Sequence, residues 1–111
     1  MRLDAPAEGE GALIERIARR VGQASLPDAF RLVLGIGDDT AALQIGEQTL
    51  LWTADMLLEG IHFRLDWIDP TSLGWKSLAV NLSDIAAMGG TPAGALLSLA
   101  LPAERTGAWL D

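Results

Sequence analysis

The sequence contains no cysteine among its 111 residues, so neither a disulfide framework nor a thiolate metal site can form. Basic residues are also scarce: eight Lys and Arg against fifteen Asp and Glu give a formal net charge of −7. The few basic residues are scattered along the chain rather than gathered into a stripe. Because nucleic-acid backbones require clustered Lys and Arg, we expect no nucleic-acid partner.

Long hydrophobic runs are absent too. The apolar stretches are far shorter than a membrane span, and the first residues include no signal-like run, which predicts a cytoplasmic protein without a membrane partner. Half of the residues are hydrophobic and 21% are charged, a composition typical of a globular domain. An acidic chain of this kind can still bind phosphates if metal ions neutralise both partners.

Helical patterns mark three segments. The apolar residues of 11–21 recur at helical spacing, which predicts a short amphipathic helix closed by Gly22. Asp69-Pro70 has the N-cap and first-turn chemistry of a second helix, which Gly89-Gly90 ends. Residues 102–111 resemble the opening turns of a third helix.

Residues of high β-propensity predict a hairpin and a further strand. A strand signal at 30–34 is followed by the segment GIGDDT (35–40) and an apolar segment at 41–45. Gly46-Glu47 forms a turn, and residues 48–58 are again β-rich, so the pair predicts a hairpin with Asp38-Asp39 on its first arm and Asp55 on its second. The nearly continuous apolar run 93–101 predicts a buried strand. The order of helix, hairpin, helix, strand and start of helix gives an α/β domain in the broad sense, of α+β type.

Acidic residues of the hairpin are candidates for chemistry. Asp38 and Asp39 follow two glycines that let a ligand approach the backbone closely, although exposed turn acids making local hydrogen bonds are the alternative. Asp55 interrupts an apolar arm, and on a strand Thr53 would share its face. A hydroxyl and a carboxylate on one face suit a hard cation, whereas the alternative is an edge-strand aspartate facing water.

Asp84 lies in the second helix, which has hardly any other charge. Asn81, Ser77 and Lys76 precede it by three, seven and eight residues, so the four fall on nearly the same helix face. A mostly apolar helix is mostly buried. Its polar seam is therefore predicted to face a site or a partner.

Several carboxylates converging in one site would repel one another unless cations compensate them. Magnesium ions with bound nucleotide phosphates provide such compensation and can stabilise charge during phosphoryl transfer. The sequence contains neither a Walker motif nor a protein-kinase glycine-rich loop. His62, the single histidine, is either a packed surface residue or a substrate contact. The four tryptophans are expected in the core or an interface.

Four segments resemble the thiamine-monophosphate kinase family in order and spacing: GIGDDTA (35–41), TAD (53–55), EGIHF (59–63) and WKSLAVNLSDIAAMGGTP (75–92). The last is specific to a wider superfamily that includes aminoimidazole-ribonucleotide synthetase, selenophosphate synthetase and hydrogenase-maturation ATP enzymes. The first and third favour the thiamine-phosphate member.

The resemblance implies direct, ATP-dependent phosphorylation of thiamine monophosphate to thiamine diphosphate, with Mg²⁺ as the cofactor. His62 matches a substrate contact, Asp38 is not a first-choice ligand, and Ala54 replaces a threonine that often stands there. No catalytic residue is assigned apart from the metal ligands. Four positions match those that bind magnesium in the family: Asp39, Thr53, Asp55 and Asp84.

The resemblance also implies an architecture and a domain organisation. We expect an ATP-binding N-terminal domain of the aminoimidazole-ribonucleotide synthetase type, with a mixed or antiparallel sheet, helices on one side, and homodimers formed through a shared barrel. Residues 1–10 are expected to be flexible and 11–111 to form an incomplete domain without its C-terminal partner. The main ATP contacts would then lie in missing segments, and the piece alone would be inactive.

Two alternatives remain at this point. The first is another ATP enzyme of the superfamily, of the selenophosphate synthetase or hydrogenase-maturation type, although these usually carry an upstream Cys or Lys segment. The second is a noncatalytic dimerisation module that kept the fold and lost the site.

Overall fold

The computed structural model describes residues 9–22 and 25–111. The chain divides into two compact units, Met1–Trp52 and Thr53–Asp111. The predicted flexible N-terminus, residues 1–10, falls almost wholly outside the described residues, and Glu10 already belongs to the first helix.

The first unit contains one helix and a three-stranded sheet. Helix α1 spans Glu10–Val21 and ends at Gly22, whose N–H donates to the Ala18 carbonyl over 2.9 Å, as the helical pattern predicted. The sheet is antiparallel, and its strands are neighbours in chain order. Its strands are β1 (Phe30–Leu34), β2 (Ala41–Ile45) and β3 (Gln48–Trp52). The α+β class is confirmed.

The hairpin of β2 and β3 turns at Gly46-Glu47, as predicted. Gly46 adopts φ +59°, a left-handed conformation that glycine adopts without steric cost and that tight hairpin turns require. The register pairs Ile45 with Gln48 and Ala41 with Trp52. Burial in the described part of this unit centres on the start of β2, where Ala42 is 5% exposed and the preceding Thr40 is 3% exposed.

The strand signal at 30–34 and the apolar segment at 41–45 are confirmed as β1 and β2. The predicted extent of the second hairpin arm is wrong. Because β2 begins at Ala41, opposite Trp52, strand β3 has no partner beyond Trp52 and the second arm stops there rather than at residue 58. Asp55 therefore lies past the end of the strand. Asp38 and Asp39 lie in the connection between β1 and β2, where residues 36–40 form bends and not strand.

The second unit contains helix α2, which spans Pro70–Ala87. Its predicted start is confirmed: Asp69 is the N-cap, and its carboxylate accepts from the Ser72 backbone N–H over 2.8 Å and from the Ser72 hydroxyl over 3.0 Å. Its predicted end is confirmed as well. Gly89 adopts φ +70°, and the Gly90 N–H returns to the Ile85 carbonyl over 3.0 Å, a closure typical of helix C-termini.

Three predictions for the second unit are wrong. Residues 93–101 form no strand, because a strand needs a hydrogen-bonding neighbour and the described residues offer this segment none; Leu96 is 97% exposed. Helix α2 contains no buried residue, since no second layer of this unit covers its apolar side chains. Instead of a regular helix start, two 3₁₀ turns, Ala103–Arg105 and Gly107–Trp109, follow Pro102. In the described segments, none of the helices is both long and apolar enough to cross a membrane.

Candidate functional site

The centre of the candidate site is a contact between Thr53 and Asp84 in the second unit. Thr53 directly follows the last residue of β3, and Asp84 lies in the last turn of α2. The Thr53 hydroxyl Oγ1 donates a hydrogen bond to Asp84 Oδ2 over 3.2 Å. Both residues are half-buried, so the hydroxyl dipole meets a carboxylate that is partly shielded from water.

The two uncharged residues of the polar seam of α2, Ser77 and Asn81, are tied into the helix itself. Asn81 donates from Nδ2 to the Ser77 carbonyl over 2.9 Å, and Ser77 donates from Oγ to the Gly74 carbonyl over 2.7 Å. These bonds follow the i to i−3 or i−4 pattern that short polar side chains adopt in helices. They hold the seam in one conformation and leave Asp84 as its charged group nearest the helix end.

The donor chemistry of this pair fits a hard divalent cation. Thr53 and Asp84 offer oxygen atoms only, and Mg²⁺ typically takes one or two carboxylates and completes its shell with water and phosphate oxygens. Asp55 lies two residues after Thr53 and is exposed. Within residues 9–22 and 25–111, no three His, Cys, Asp or Glu side chains come close enough together to hold a metal ion by themselves.

Asp39 belongs to the first unit, and only its own surroundings are described. It is exposed, and its backbone N–H donates to the Asp38 carboxylate over 2.8 Å. Asp38 therefore makes the local turn bond considered as the alternative for this dipeptide. The neighbouring Thr40 is almost fully buried, and among the described residues its Oγ1 has no hydrogen-bond partner. A buried hydroxyl without a partner is unfavourable, so a water or a ligand oxygen beside it would be stabilised.

His62 lies in a tight loop that precedes α2. The Leu58 carbonyl accepts from the backbone N–H groups of Ile61 and His62, and Gly60 adopts φ +80° to close the turn. The Leu58 backbone N–H donates to His62 Nδ1 over 2.9 Å. Both bonds to Leu58 restrain His62, so the imidazole ring has a defined orientation although it is exposed.

Lys76 joins this loop to α2. Its Nζ donates to the His62 carbonyl over 2.7 Å, across 14 residues of sequence. Residues 60–64, Trp67, Ile68 and Lys76 line an open hollow of about 440 Å³. On its rim the Arg64 guanidinium stacks 4.4 Å above the Trp67 ring and forms an ion pair with Asp66 over 2.7 Å. The hollow thus combines aromatic surface with hydrogen-bond donors.

The structure brings together part of the residue set predicted from the sequence. Thr53 and Asp84 meet, but Thr53 does not share a strand face with Asp55, since β3 has ended. The contact of Lys76 with His62 was not predicted. A signal for it exists in the sequence: Lys76 lies eight residues before Asp84 on the same face of α2, but nothing local indicates which loop approaches that face.

Comparison with known proteins adds a family assignment. Residues 37–111 match the family model described as "AIR synthase related protein, N-terminal domain". The matched segment includes every residue discussed above as a predicted ligand or substrate contact. No solved structure matches the chain.

Three curated proteins that are similar to this chain are named thiamine-monophosphate kinase. The protein of Escherichia coli (strain K12) is 50% identical over 104 residues, which cover 93% of this chain and 30% of the relative. That of Synechococcus elongatus is 51% identical over 77 residues, covering 68% of this chain and 23% of the relative. That of Aquifex aeolicus is 43% identical over 89 residues, covering 78% of this chain and 29% of the relative. The chain therefore spans less than a third of the length of these relatives.

Proposed function

Because the chain belongs to the family of AIR synthase related proteins, N-terminal domain, we propose that it carries the N-terminal part of a thiamine-monophosphate kinase. The reaction would transfer a phosphate group from ATP to thiamine monophosphate. The observation that carries this proposal is the 50% identity to the E. coli kinase over 93% of the chain. Identity of that extent covers the loop of His62 and the whole of α2, not only one short motif.

The role of the Thr53 and Asp84 pair would be to hold Mg²⁺, together with Asp55. Asp39 is a candidate ligand from the family resemblance alone. The oxygen-only donors of the pair and its half-buried position support this assignment. When bound, such an ion neutralises phosphate oxygens during phosphoryl transfer. The part of this chain is to keep the Asp84 carboxylate fixed: the α2 backbone sets its position, and the Thr53 hydroxyl restrains one of its oxygens.

The hollow beside His62 would receive thiamine monophosphate. Its aromatic lining suits a heterocyclic ring, and its donors suit an acceptor atom on the ring or the phosphate. A homodimer and a cytoplasmic location complete the proposal, as expectations taken from the family resemblance and from the composition.

The decisive experiment replaces the matching 104 residues of the E. coli kinase by those of this chain. We expect the chimera to convert thiamine monophosphate to thiamine diphosphate with ATP and Mg²⁺. Asp84→Asn and Asp55→Asn should each lower kcat by about 10- to 100-fold or more. Losses of about 10- to 100-fold are typical when a residue that only hydrogen-bonds to a metal ligand is mutated, and a ligand itself should matter at least as much. Asp28→Asn, at an exposed aspartate in the turn before β1, is the matched control.

Two results would contradict the proposal. A folded chimera without kinase activity would show that this chain cannot serve as the N-terminal part of such an enzyme. Asp84→Asn and Asp55→Asn chimeras as active as the Asp28→Asn control would remove both aspartates from the proposed metal site while leaving the kinase assignment intact.

A further inference from the structure

The hydrogen bond from the Leu58 backbone N–H to His62 Nδ1 determines which imidazole nitrogen carries the proton. A backbone N–H can only donate, so Nδ1 must be the acceptor, at a separation of 2.9 Å. In a neutral imidazole one nitrogen accepts and the other carries hydrogen. The bond therefore selects the form of His62 protonated at Nε2 and leaves Nε2–H as a donor on the exposed side of the ring.

This selection depends on the position of the loop, because the ring and the Leu58 N–H must stay aligned. The loop is tied within itself by the Leu58 carbonyl and by a 2.8 Å bond from the Gly60 N–H to the Phe63 carbonyl. The contact that joins it to a regular element is the 2.7 Å bond from Lys76 Nζ to the His62 carbonyl. A bond to an ammonium group is charge-assisted and stronger than a neutral one.

The same helix that holds the loop also carries Asp84. Lys76 and Asp84 are eight residues apart in α2, which places them about 12 Å apart along the helix axis and on nearly the same face. A rigid helix keeps that spacing constant. The main chain of His62 and the contact of Thr53 with Asp84 are thus held in fixed relation by one element of the second unit.

We propose that Lys76 is a positioning residue: its ammonium group fixes the His62 carbonyl, and thereby keeps the imidazole as an Nε2–H donor toward an acceptor atom of thiamine monophosphate. The choice of ligand rests on the function proposed above, whereas the effect of Lys76 on the imidazole does not. Lys76 would touch neither the reacting atoms nor the phosphate, and would act on substrate only through the histidine.

The single histidine of the sequence makes the test direct, because ¹⁵N-labelled histidine gives one imidazole to observe by NMR. We expect the wild-type chain to show His62 as one tautomer, protonated at Nε2. Lys76→Met should lose this selectivity and show exchange between the two tautomers. Lys76→Arg, which retains a charged donor, should restore the single tautomer. Ser77→Ala is the matched control, since it removes a neighbouring helix bond to Gly74 without touching the loop.

Three outcomes would overturn the proposal: mixed tautomers in the wild type, a Lys76→Met spectrum equal to that of the wild type, or loss of α2 helicity in Lys76→Met, measured by circular dichroism. The last would make Lys76 a structural residue.

A titration with thiamine monophosphate tests the substrate contact of His62 separately from the positioning role of Lys76. We expect it to shift the Nε2 signal of the wild type and to have a smaller effect on Lys76→Met. An unmoved signal in a wild type with the expected tautomer would contradict the substrate assignment and leave the positioning role standing.

Discussion

Thr53 Oγ1 donates to Asp84 Oδ2 over 3.2 Å and so joins two positions 31 residues apart in the sequence. The contact links the segment that leaves β3 to the last turn of α2. Because both side chains are half-buried, water replaces the lost partner only partly when either group is removed. The bond therefore orders the carboxylate and contributes to the stability of the second unit.

Thr53→Val should lower the free energy of unfolding by about 1 kcal/mol, since valine has a similar shape but cannot donate to Asp84. Thr53→Ser retains the hydroxyl and is the matched control, expected to unfold closer to the wild type. Urea unfolding followed by tryptophan fluorescence measures both variants. A Thr53→Val chain as stable as Thr53→Ser would mean that the hydrogen bond adds nothing in solution.

Local signals made the limits of α2 predictable. Asp69 before Pro70 and the glycine pair after the helix act on their immediate neighbours. A short stretch of sequence is therefore enough to predict where the helix begins and ends. The strand expected at 93–101 failed for the opposite reason. Its apolar composition is local, but a strand exists only where another segment pairs with it, and composition carries no information about that partner.

The site shows the same difference between features set by local sequence and features set by distant segments. The residues alone suggested that Thr53 shares a strand face with Asp55, which requires β3 to continue. The register of Ala41 opposite Trp52 ends the strand one residue before Thr53, and the hydroxyl instead meets Asp84. Thr53 and Asp84 were each identified from the sequence, but their contact depends on a turn of the chain between β3 and α2 that no periodic pattern encodes.

The N-cap Asp69 should make stability depend on pH. The Ser72 backbone N–H, and next the Ser72 hydroxyl, hold the pKa of Asp69 below its ordinary value of 3.8. A depressed folded-state pKa means that the ionised carboxylate contributes stability above about pH 3.8, and that this contribution disappears as pH falls through the lower folded-state pKa.

Asp69→Asn should keep a capping oxygen but remove this ionisation. We therefore expect the wild type to be the more stable at pH 7, with a difference that shrinks steadily below pH 4 in thermal unfolding curves. Asp66→Asn is the control for removing an exposed aspartate of the same unit that caps no helix. A difference between wild type and Asp69→Asn that stays constant from pH 7 to pH 3 would contradict the predicted dependence.

The exposed apolar run at 93–101 should promote self-association. Leu96 projects almost completely into solvent, and contiguous exposed apolar surface of this kind is characteristic of protein contacts or aggregation. Leu96→Lys should therefore reduce the associated fraction in sedimentation velocity without lowering the unfolding midpoint. Leu110→Lys, at another exposed leucine of the same unit outside the run, controls for the added charge. Equal association of Leu96→Lys and wild type would exclude the run as a contact surface.

Thr40→Val should stabilise the chain. The Thr40 side chain is 3% exposed, and its Oγ1 has no hydrogen-bond partner in the part of the chain that the structure describes. A buried hydroxyl in that position has lost its hydration without compensation, whereas a methyl group of the same size has none to lose. We expect the free energy of unfolding to rise by about 1 kcal/mol, measured by urea denaturation without added ligand. Thr49→Val, at an exposed threonine in β3, makes the same change of side chain without the relief of burial. If Thr40→Val were less stable than the wild type while Thr49→Val were not, the Thr40 hydroxyl would have a partner in solution, and the neighbouring Asp39 turn would be the place to look for it.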